Sequence, residues 1–512
     1  MSDKPDNSGT KPDANEPGDE PGKEADDDGL FGKSLTGILW SGIERSGTAI
    51  VSTVVHIVLA RLLIPEHFGL VAMANVVIGF ISLLKDQGFV EAIIQREELE
   101  SLHLDTAMWA ITVQGVVLAG LGLLLAPLVA AGFNEPELTD IFRVLVLTIP
   151  IMGVSSLPTA VLKRDMDFKP LSLRALFASI VGGAVAVVLA VLGFGVWSLV
   201  FKSLVHHVVS AVILWKAVDW LPGLNFSVRH FKQLFAFGAN ITGERLLNYF
   251  NRQFDDLLVG AVLGSTALGY YTVAYEILKG LTDILGRTGA QVALPLFSRL
   301  QSNAERLSGA FLTAVQSTAL IAFPIFTLFI VVAPELFMLV YGPKWAPAVP
   351  LARVLALIGI LHAVLLLNGP IFKARGKPSW SLWLTVVNVI GNVIGFSVAV
   401  FVFESALAVA AAYVIRGYLL MPVPLYYIRK LVDVRLRDFF GTLVFPTAAS
   451  AVMVAAVFGL KWAMPDTLWL ALRSVLLIAA GFATYFGLVY LFLPDSARKI
   501  IRRVRAQIGG KS

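Results

Sequence analysis

The chain has 512 residues, 56% of them hydrophobic, with a mean hydropathy of +0.75 and only 15% charged residues, where a soluble protein carries roughly 25%. Such a composition excludes a soluble enzyme, and the absence of Cys excludes disulfides, thiolate metal sites and cysteine nucleophiles. The net charge of +5 conceals two populations: residues 1–32 hold ten acidic residues against three Lys, a net of −7, which leaves +12 on the remainder.

Residues 1–32 are rich in Asp, Glu, Pro, Gly and Asn and nearly devoid of apolar residues. They cannot bury enough surface to fold alone and are expected to form a disordered acidic cytoplasmic tail. This tail also lacks the positive flank that a signal peptide needs. Fourteen apolar segments follow, at about 36–63, 67–88, 105–132, 138–162, 172–193, 196–217, 231–262, 266–291, 307–333, 347–372, 379–403, 405–428, 440–463 and 467–493. Each is near the ~20 residues that cross a bilayer as helix. The seventh and eighth carry the most charge.

An even count places both termini on one side, and Lys and Arg decide which. Even-numbered connections carry Lys163, Arg164, Lys169 and Arg174, then Lys216, Arg229 and Lys232, and later Lys373, Arg375 and Lys377. The C-terminal tail adds Arg498, Lys499, Arg502, Arg503 and Arg505, whereas odd-numbered connections hold little beyond Arg61, Lys344 and Lys461. By the positive-inside rule both termini are expected in the cytoplasm, in a multi-pass protein of a bacterial inner membrane. The connections are short, and the longest outward one has roughly a dozen residues. A polysaccharide polymerase or ligase needs a larger outward loop for its chemistry.

A shift of 200 residues superimposes Glu44-Arg45 on Glu244-Arg245, Leu63 on Leu263, Gly69 on Gly269 and Ala74 on Ala274. Six helices separate the copies, so the repeats are expected to be parallel, related by an axis along the membrane normal. The expected fold is an all-α membrane protein of about fourteen transmembrane helices, with two parallel six-helix lobes around a central cavity and two extra C-terminal helices. Its divisions are an N-lobe at 33–217, a C-lobe at 218–430, a helix pair at 431–493 and a basic cytoplasmic tail at 494–512.

Charges inside a bilayer cost about 2.5–3.5 kcal/mol on insertion scales and therefore face a bundle interior or a wet cavity. Arg245, Asn248, Arg252 and Asp255 follow helical spacings of three, four and three. Glu276, Lys279, Asp283 and Arg287 make a second stripe, and Arg45, Thr48, Ser52 and His56 a third. These stripes predict a water-filled cavity with a cationic floor for phosphate groups, lined by Arg45, Arg245, Asn248, Arg252 and Lys279, with Arg gripping phosphate oxygens bidentately. Tyr249 and Asn251 neighbour the first of these stripes. Glu44, Glu244, Asp255, Glu276 and Asp283 are read as coupling-cation ligands or as charge balance for the neighbouring Arg.

No catalytic residue, metal, cofactor or nucleic-acid partner is expected. His206 and His207 are adjacent, so they point to different helical faces and have no evident third ligand. Gly32-Lys33-Ser34 lacks the upstream Gly and the strand of a phosphate-cradling loop, and Gly510-Lys511-Ser512 has no helix to follow. Asp26-Asp27-Asp28 lies in the tail.

The run RLLIPEHFGLVAMANVVIGFISLLKDQGFVEAIIQRE, Arg61 to Glu97, resembles the first-lobe signature of bacterial polysaccharide flippases, more narrowly the colanic-acid branch of the Wzx-type oligosaccharide-lipid exporters. NYFNRQFDDLLVGAVLGSTALGYYTVAYEI (Asn248 to Ile277), ALPLFSRLQ (Ala293 to Gln301) and YGPKWAPAVPLARVLA (Tyr341 to Ala356) resemble the same branch, over about residues 34 to 430 in all. The resemblance implies an inverted-V bundle of the multidrug, oligosaccharidyl-lipid and polysaccharide exporter superfamily, alternating between inward-open and outward-open states. It implies an undecaprenyl-pyrophosphate-linked oligosaccharide as substrate, moved without ATP, with membrane lipid, polysaccharide polymerase and export proteins as partners. A lipid II flippase or a multidrug exporter of the same superfamily is the alternative.

Overall fold

The computed structural model describes residues 21–96, 98–465 and 468–492, and within them all side chains except those of 21–35, 38, 86, 237–241, 244, 284–292 and 378. Every element among them is helical. The first half holds α1 (Pro21–Leu62), α2 (Pro65–Asp86), a short α3 (Phe89–Gln95), α4 (Ser101–Phe133), α5 (Leu138–Val146), α6 (Thr148–Arg164), α7 (Phe168–Val191) and α8 (Val196–Ala217). The second half holds α9 (Val228–Leu258), α10 (Gly264–Leu300), α11 (Ala304–Val340), α12 (Ala348–Leu365), α13 (Asn368–Ala374), α14 (Pro378–Phe401), α15 (Ala406–Leu420) and α16 (Pro422–Val432). Two more follow, α17 (Leu436–Ala463) and α18 (Leu470–Phe492).

Among the described residues thirteen stretches are long and apolar enough to cross a membrane, one fewer than the sequence count, because Arg245–Asp283 registers as one. The chain turns back inside it. After α9 a single π-helical turn covers Val259–Leu263, and Gly264 at φ +84° starts α10. The Tyr271 hydroxyl donates a 2.7 Å hydrogen bond to Asp255 Oδ2. In one continuous helix these residues would lie about 24 Å apart, so the seventh and eighth segments are separate helices.

α1 begins at Pro21, inside the acidic stretch expected to be disordered. Residues 1–20 and the basic tail 494–512 lie outside the described residues. The fourth span of each half is broken in a matching way. α5 gives way to α6 just before Pro150, and α12 to α13 just before Pro370, where proline removes a backbone donor and clashes with the preceding turn.

In the first half α7 packs between α1 and α8, and α6 against α4 and α8. In the second, α12 packs against α10, α11 and α15, and α14 against α9 and α15. α17 and α18 lie on α11 and on each other. On the outside, Leu121, Leu124, Leu125 and Leu128 of α4 are exposed, an apolar surface that only lipid covers without penalty.

The halves meet where α2 crosses α10. A Cβ added to Gly69 would stand 1.7 Å from the Ser265 carbonyl oxygen, and one added to Gly269 would stand 2.0 Å from that of Pro65. Each helix thus accepts the other's backbone at a glycine. Both pairs obey the 200-residue shift, 65 with 265 and 69 with 269, so the crossing is two-fold symmetric. Around it the halves satisfy each other's helix ends. Trp345 Nε1 donates to Ala60 O at 2.8 Å and Lys344 Nζ to Arg61 O at 2.7 Å. Arg61 donates in return to the last carbonyls of α11, Val340 O at 2.8 Å and Leu339 O. The Ser265 N–H donates to Glu135 Oε1 at 3.0 Å.

Candidate functional site

One to two turns beyond Gly69, Ala72 and Asn75 of α2 help line a cavity of about 630 Å³. α9 contributes Asn251, Arg252, Asp255 and Asp256, and α10 contributes Tyr275, Glu276, Lys279 and Asp283. Asn388 and Asn392 come from α14, and Tyr413 and Arg416 from α15. Asp255 is buried, and its Oδ1 has no hydrogen-bond partner although Oδ2 accepts from Tyr271. Buried Asn392 donates to Asn251 Oδ1 at 3.0 Å and likewise keeps an unpartnered Oδ1. Arg416 donates to Asn388 Oδ1 and stacks its guanidinium 5.0 Å from the Tyr413 ring centre.

Of the residues proposed from sequence, Arg252, Asp255, Glu276, Lys279 and Asp283 line this cavity. Lys279 donates to Glu276 at 3.2 Å, one turn along the same helix. Arg245 is elsewhere: it pairs with Glu91 of α3. Asn248 is half-buried on α9, Glu44 half-buried and Arg45 exposed on α1, and none of the three belongs to the lining. Tyr249 donates to Val76 O on α2. The side chains of Glu244 and Arg287 lie outside the described residues. Helical spacing keeps Arg245 and Asp255 on one face, yet ten residues span about 15 Å, so that face runs from the contact with α3 into the cavity.

The lining is not the cationic floor that the stripes predict. Asp255, Asp256, Glu276 and Asp283 set four carboxylates against the three cations Arg252, Lys279 and Arg416. Positive charge without a carboxylate appears in an adjoining cavity of about 320 Å³ in the first half, lined by Ser52, Ser203, Lys202 and His206. Asn75 belongs to both linings. Sequence reasoning missed Lys202 and Arg416, although each is a lone charge in the middle of an apolar segment, the signal that marks intramembrane polar sites. The paired asparagines of α14 carry no charge and gave no such signal.

A third polar group sits where α9 begins. His230 on α9 faces Glu100 and His103 at the start of α4, and one ligand-capable atom from each lies within 4.8 Å of the others. Nearby, Arg96 donates to Gln233 Oε1 at 3.2 Å. His206 and His207, the pair weighed from sequence, have ring centres 5.4 Å apart.

Comparison with known proteins fits this architecture. The chain is similar to the teichuronic acid biosynthesis protein TuaB of Bacillus subtilis (strain 168), 25% identical over 92% of this chain and 98% of that one. It is 26% identical to the lipopolysaccharide biosynthesis protein WzxC of Escherichia coli (strain K12), over 67% of this chain and 70% of that one. The fold matches a lipid II flippase, MurJ, in an inward closed conformation, with a TM-score of 0.74 over 90% of this chain and 99% of that one at 14% identity. Residues 58–350 match the model of the family described as polysaccharide biosynthesis protein; the chain is a multi-pass membrane protein and belongs to that family.

Proposed function

We propose that this protein is a flippase, which carries undecaprenyl-pyrophosphate-linked oligosaccharide units from the cytoplasmic to the periplasmic leaflet of the inner membrane for exopolysaccharide, capsule or lipopolysaccharide synthesis. It works by alternating access, as a secondary transporter and not an enzyme. The observation that carries this reading is the pair of adjoining polar cavities, one lined mainly by the second half and one by the first, with Asn75 common to both, in a chain whose relatives are named for glycan biosynthesis. The rocking bodies are the lobes 33–217 and 218–430, with 431–493 as an appendage and both termini in the cytoplasm.

The head group sits where the cavities join at Asn75. Lys202 from one lobe and Arg252 and Lys279 from the other hold the pyrophosphate, with Asn251, Asn388 and Asn392 as hydrogen-bonding partners for sugar. Arg45, Arg245 and Asn248, exposed or half-buried outside these linings, belong to the path by which substrate approaches. Asp255, with an unpartnered and buried oxygen, is the foremost coupling-cation ligand among the acidic candidates. Glu276, Asp283, Glu44 and Glu244 balance neighbouring cations.

The test is the lipid-linked oligosaccharide content of a strain lacking the gene, measured leaflet by leaflet. Accumulation on the cytoplasmic side with loss of surface polymer supports the proposal. The excess of carboxylates in the larger cavity favours a second reading, a multidrug exporter for cationic substrates. Unchanged lipid intermediates together with altered sensitivity to cationic drugs would establish that reading and remove the glycan.

A further inference from the structure

We propose that Glu100, His103 and His230 form a transition-metal site, with Zn²⁺ as the natural occupant, which fastens α4 to α9 at the end of the bundle where both helices begin.

Three observations point to it. First, the ligand atoms converge: His230 Nε2 stands 3.5 Å from Glu100 Oε2, the imidazole rings of His103 and His230 meet edge-on with centres 4.2 Å apart, and the whole set fits within 4.8 Å. A tetrahedral zinc ion about 2.0–2.1 Å from each ligand needs ligand atoms about 3.4 Å apart. The Glu100–His230 pair already has that separation, and the widest possible gap closes by about 1.4 Å of side-chain rotation. Second, His103 is 1% exposed, its Nε2 has no partner of hydrogen-bond geometry although the Gln233 side chain lies near the ring, and its Nδ1 meets the Glu100 N–H at a long 3.3 Å. A buried imidazole without a good partner loses solvation for no return, and a ligand restores it. Third, the supporting contacts are of the kind that orient metal ligands. Ser227 Oγ lies 2.7 Å from His230 Nδ1, which leaves Nε2 for the ion. The Glu100 side chain is held by the backbone N–H of His103.

Two imidazoles and one carboxylate select a borderline-soft divalent ion over Mg²⁺ or Ca²⁺. Three protein ligands leave the fourth position to water, and Glu100, two-thirds exposed, borders that solvent. Arg96 is the nearby cation that opposes the ion, and its guanidinium is engaged by Gln233 Oε1 and by Glu98 O. The site lies outside both cavities and does not depend on what the protein transports. It joins the first half to the leading helix of the second, so an occupied site resists their separation at this end.

The test uses the full-length chain without an affinity tag, in lipid nanodiscs, titrated with ZnCl₂ alone. The expected result is one equivalent bound and a rise in the thermal unfolding midpoint, both seen again in His207→Ala. His230→Ala and Glu100→Gln, which change side chains reached by solvent, are expected to weaken binding at least tenfold and to abolish the midpoint shift. His103→Ala is expected to behave likewise wherever it folds. No stoichiometric binding overturns the proposal. So does binding that His230→Ala and Glu100→Gln leave within twofold of the parent.

Discussion

Replacing Gly69 by Ala tests the inter-lobe crossing at its tightest point. The added Cβ would stand 1.7 Å from Ser265 O and 2.5 Å from Ser265 C, where ordinary contact is 3.4–4 Å. The obstacle is backbone, so α2 and α10 must separate by more than an ångström. Overpacking of this kind costs about 1–3 kcal/mol, and each 1.4 kcal/mol is tenfold. The crossing's population relative to an opened arrangement should fall about 5- to 150-fold. Gly269→Ala, facing Pro65 O at 2.0 Å, should do the same. The double variant should cost less than the sum, since one separation relieves both clashes. The chain has no Cys, so Ala72→Cys in the cavity lining reports access directly to a membrane-impermeant thiol reagent. Gly69→Ala should raise its labelling rate from the face where α2 begins. Gly120→Ala on α4, with nothing within 4 Å, should leave it unchanged. If Gly69→Ala reaches normal abundance and labels at the parent rate from both faces, the crossing does not govern access and the reasoning fails.

Other substitutions separate the remaining roles. Arg61→Ala removes the donors to Val340 O and Leu339 O and should lower stability by roughly 1–2 kcal/mol, read as a lower unfolding midpoint, with Arg61→Lys in between because one ammonium cannot reproduce the guanidinium's fork. Lys202→Gln and Arg252→Gln should each cut glycan transport at least tenfold at normal abundance, measured as surface polymer per copy of protein; normal transport in both would remove the pyrophosphate assignment. Asp255→Asn keeps an acceptor for the Tyr271 hydroxyl, so the fold should survive while transport driven by an ion gradient drops. Asp255→Leu strands that buried hydroxyl at a cost of about 1–3 kcal/mol and should lower abundance.

The fold was legible because its causes are local or periodic. Apolar length marks a span, and the repeat at 200 residues survives in single positions such as Gly69 and Gly269, while the breaks before Pro150 and Pro370 fall inside segments that apolar length alone reads as continuous. The turn at Gly264 was harder, since charges on both flanking helices blur the apolar pattern that would separate them. The site was legible only in part. Periodicity says which residues share a face of α9 but not how far along that face the cavity extends, so Arg245 and Arg252 looked equivalent while one pairs with Glu91 and the other lines the cavity. The Glu100, His103 and His230 group joins residues about 130 positions apart, and no spacing rule reaches that far. Similarly, the motifs around Arg61 and around Trp345 were each recognisable, but not that they dock on each other. That docking explains two of the three basic residues that broke the charge asymmetry. Arg61 and Lys344 serve as helix-end donors, while the third, Lys461, pairs with buried Glu335 at 2.6 Å.

The two ends of the contact between the halves are built from unlike materials, and this bears on which end opens more readily. Around Gly69 and Gly269 the backbones touch, helix ends are satisfied across the interface, and Trp345 is fully buried. Exposing that indole alone forfeits about 4–6 kcal/mol, at ~25 cal/mol per Å² over 150–250 Å². At the other end, α9 meets α3 and α4 through Arg245–Glu91, Arg96–Gln233 and His230–Glu100, and through an apolar cluster in which Leu234 and Phe231 of α9 pack with Phe89, Ile93 and Met108. Such partly exposed polar pairs contribute about 0–1 kcal/mol each, whereas burying Leu234 contributes about 1.5–3 kcal/mol. Separation at the α9 end must therefore also expose buried apolar surface. Separation at the glycine crossing needs a ligand that favours the opened state by an amount comparable to the ~5.5 kcal/mol that inverts a 1:99 population. On the flippase reading, the binding energy of the substrate's pyrophosphate, gripped by Lys202 from one lobe and Arg252 and Lys279 from the other, is what opens the glycine crossing.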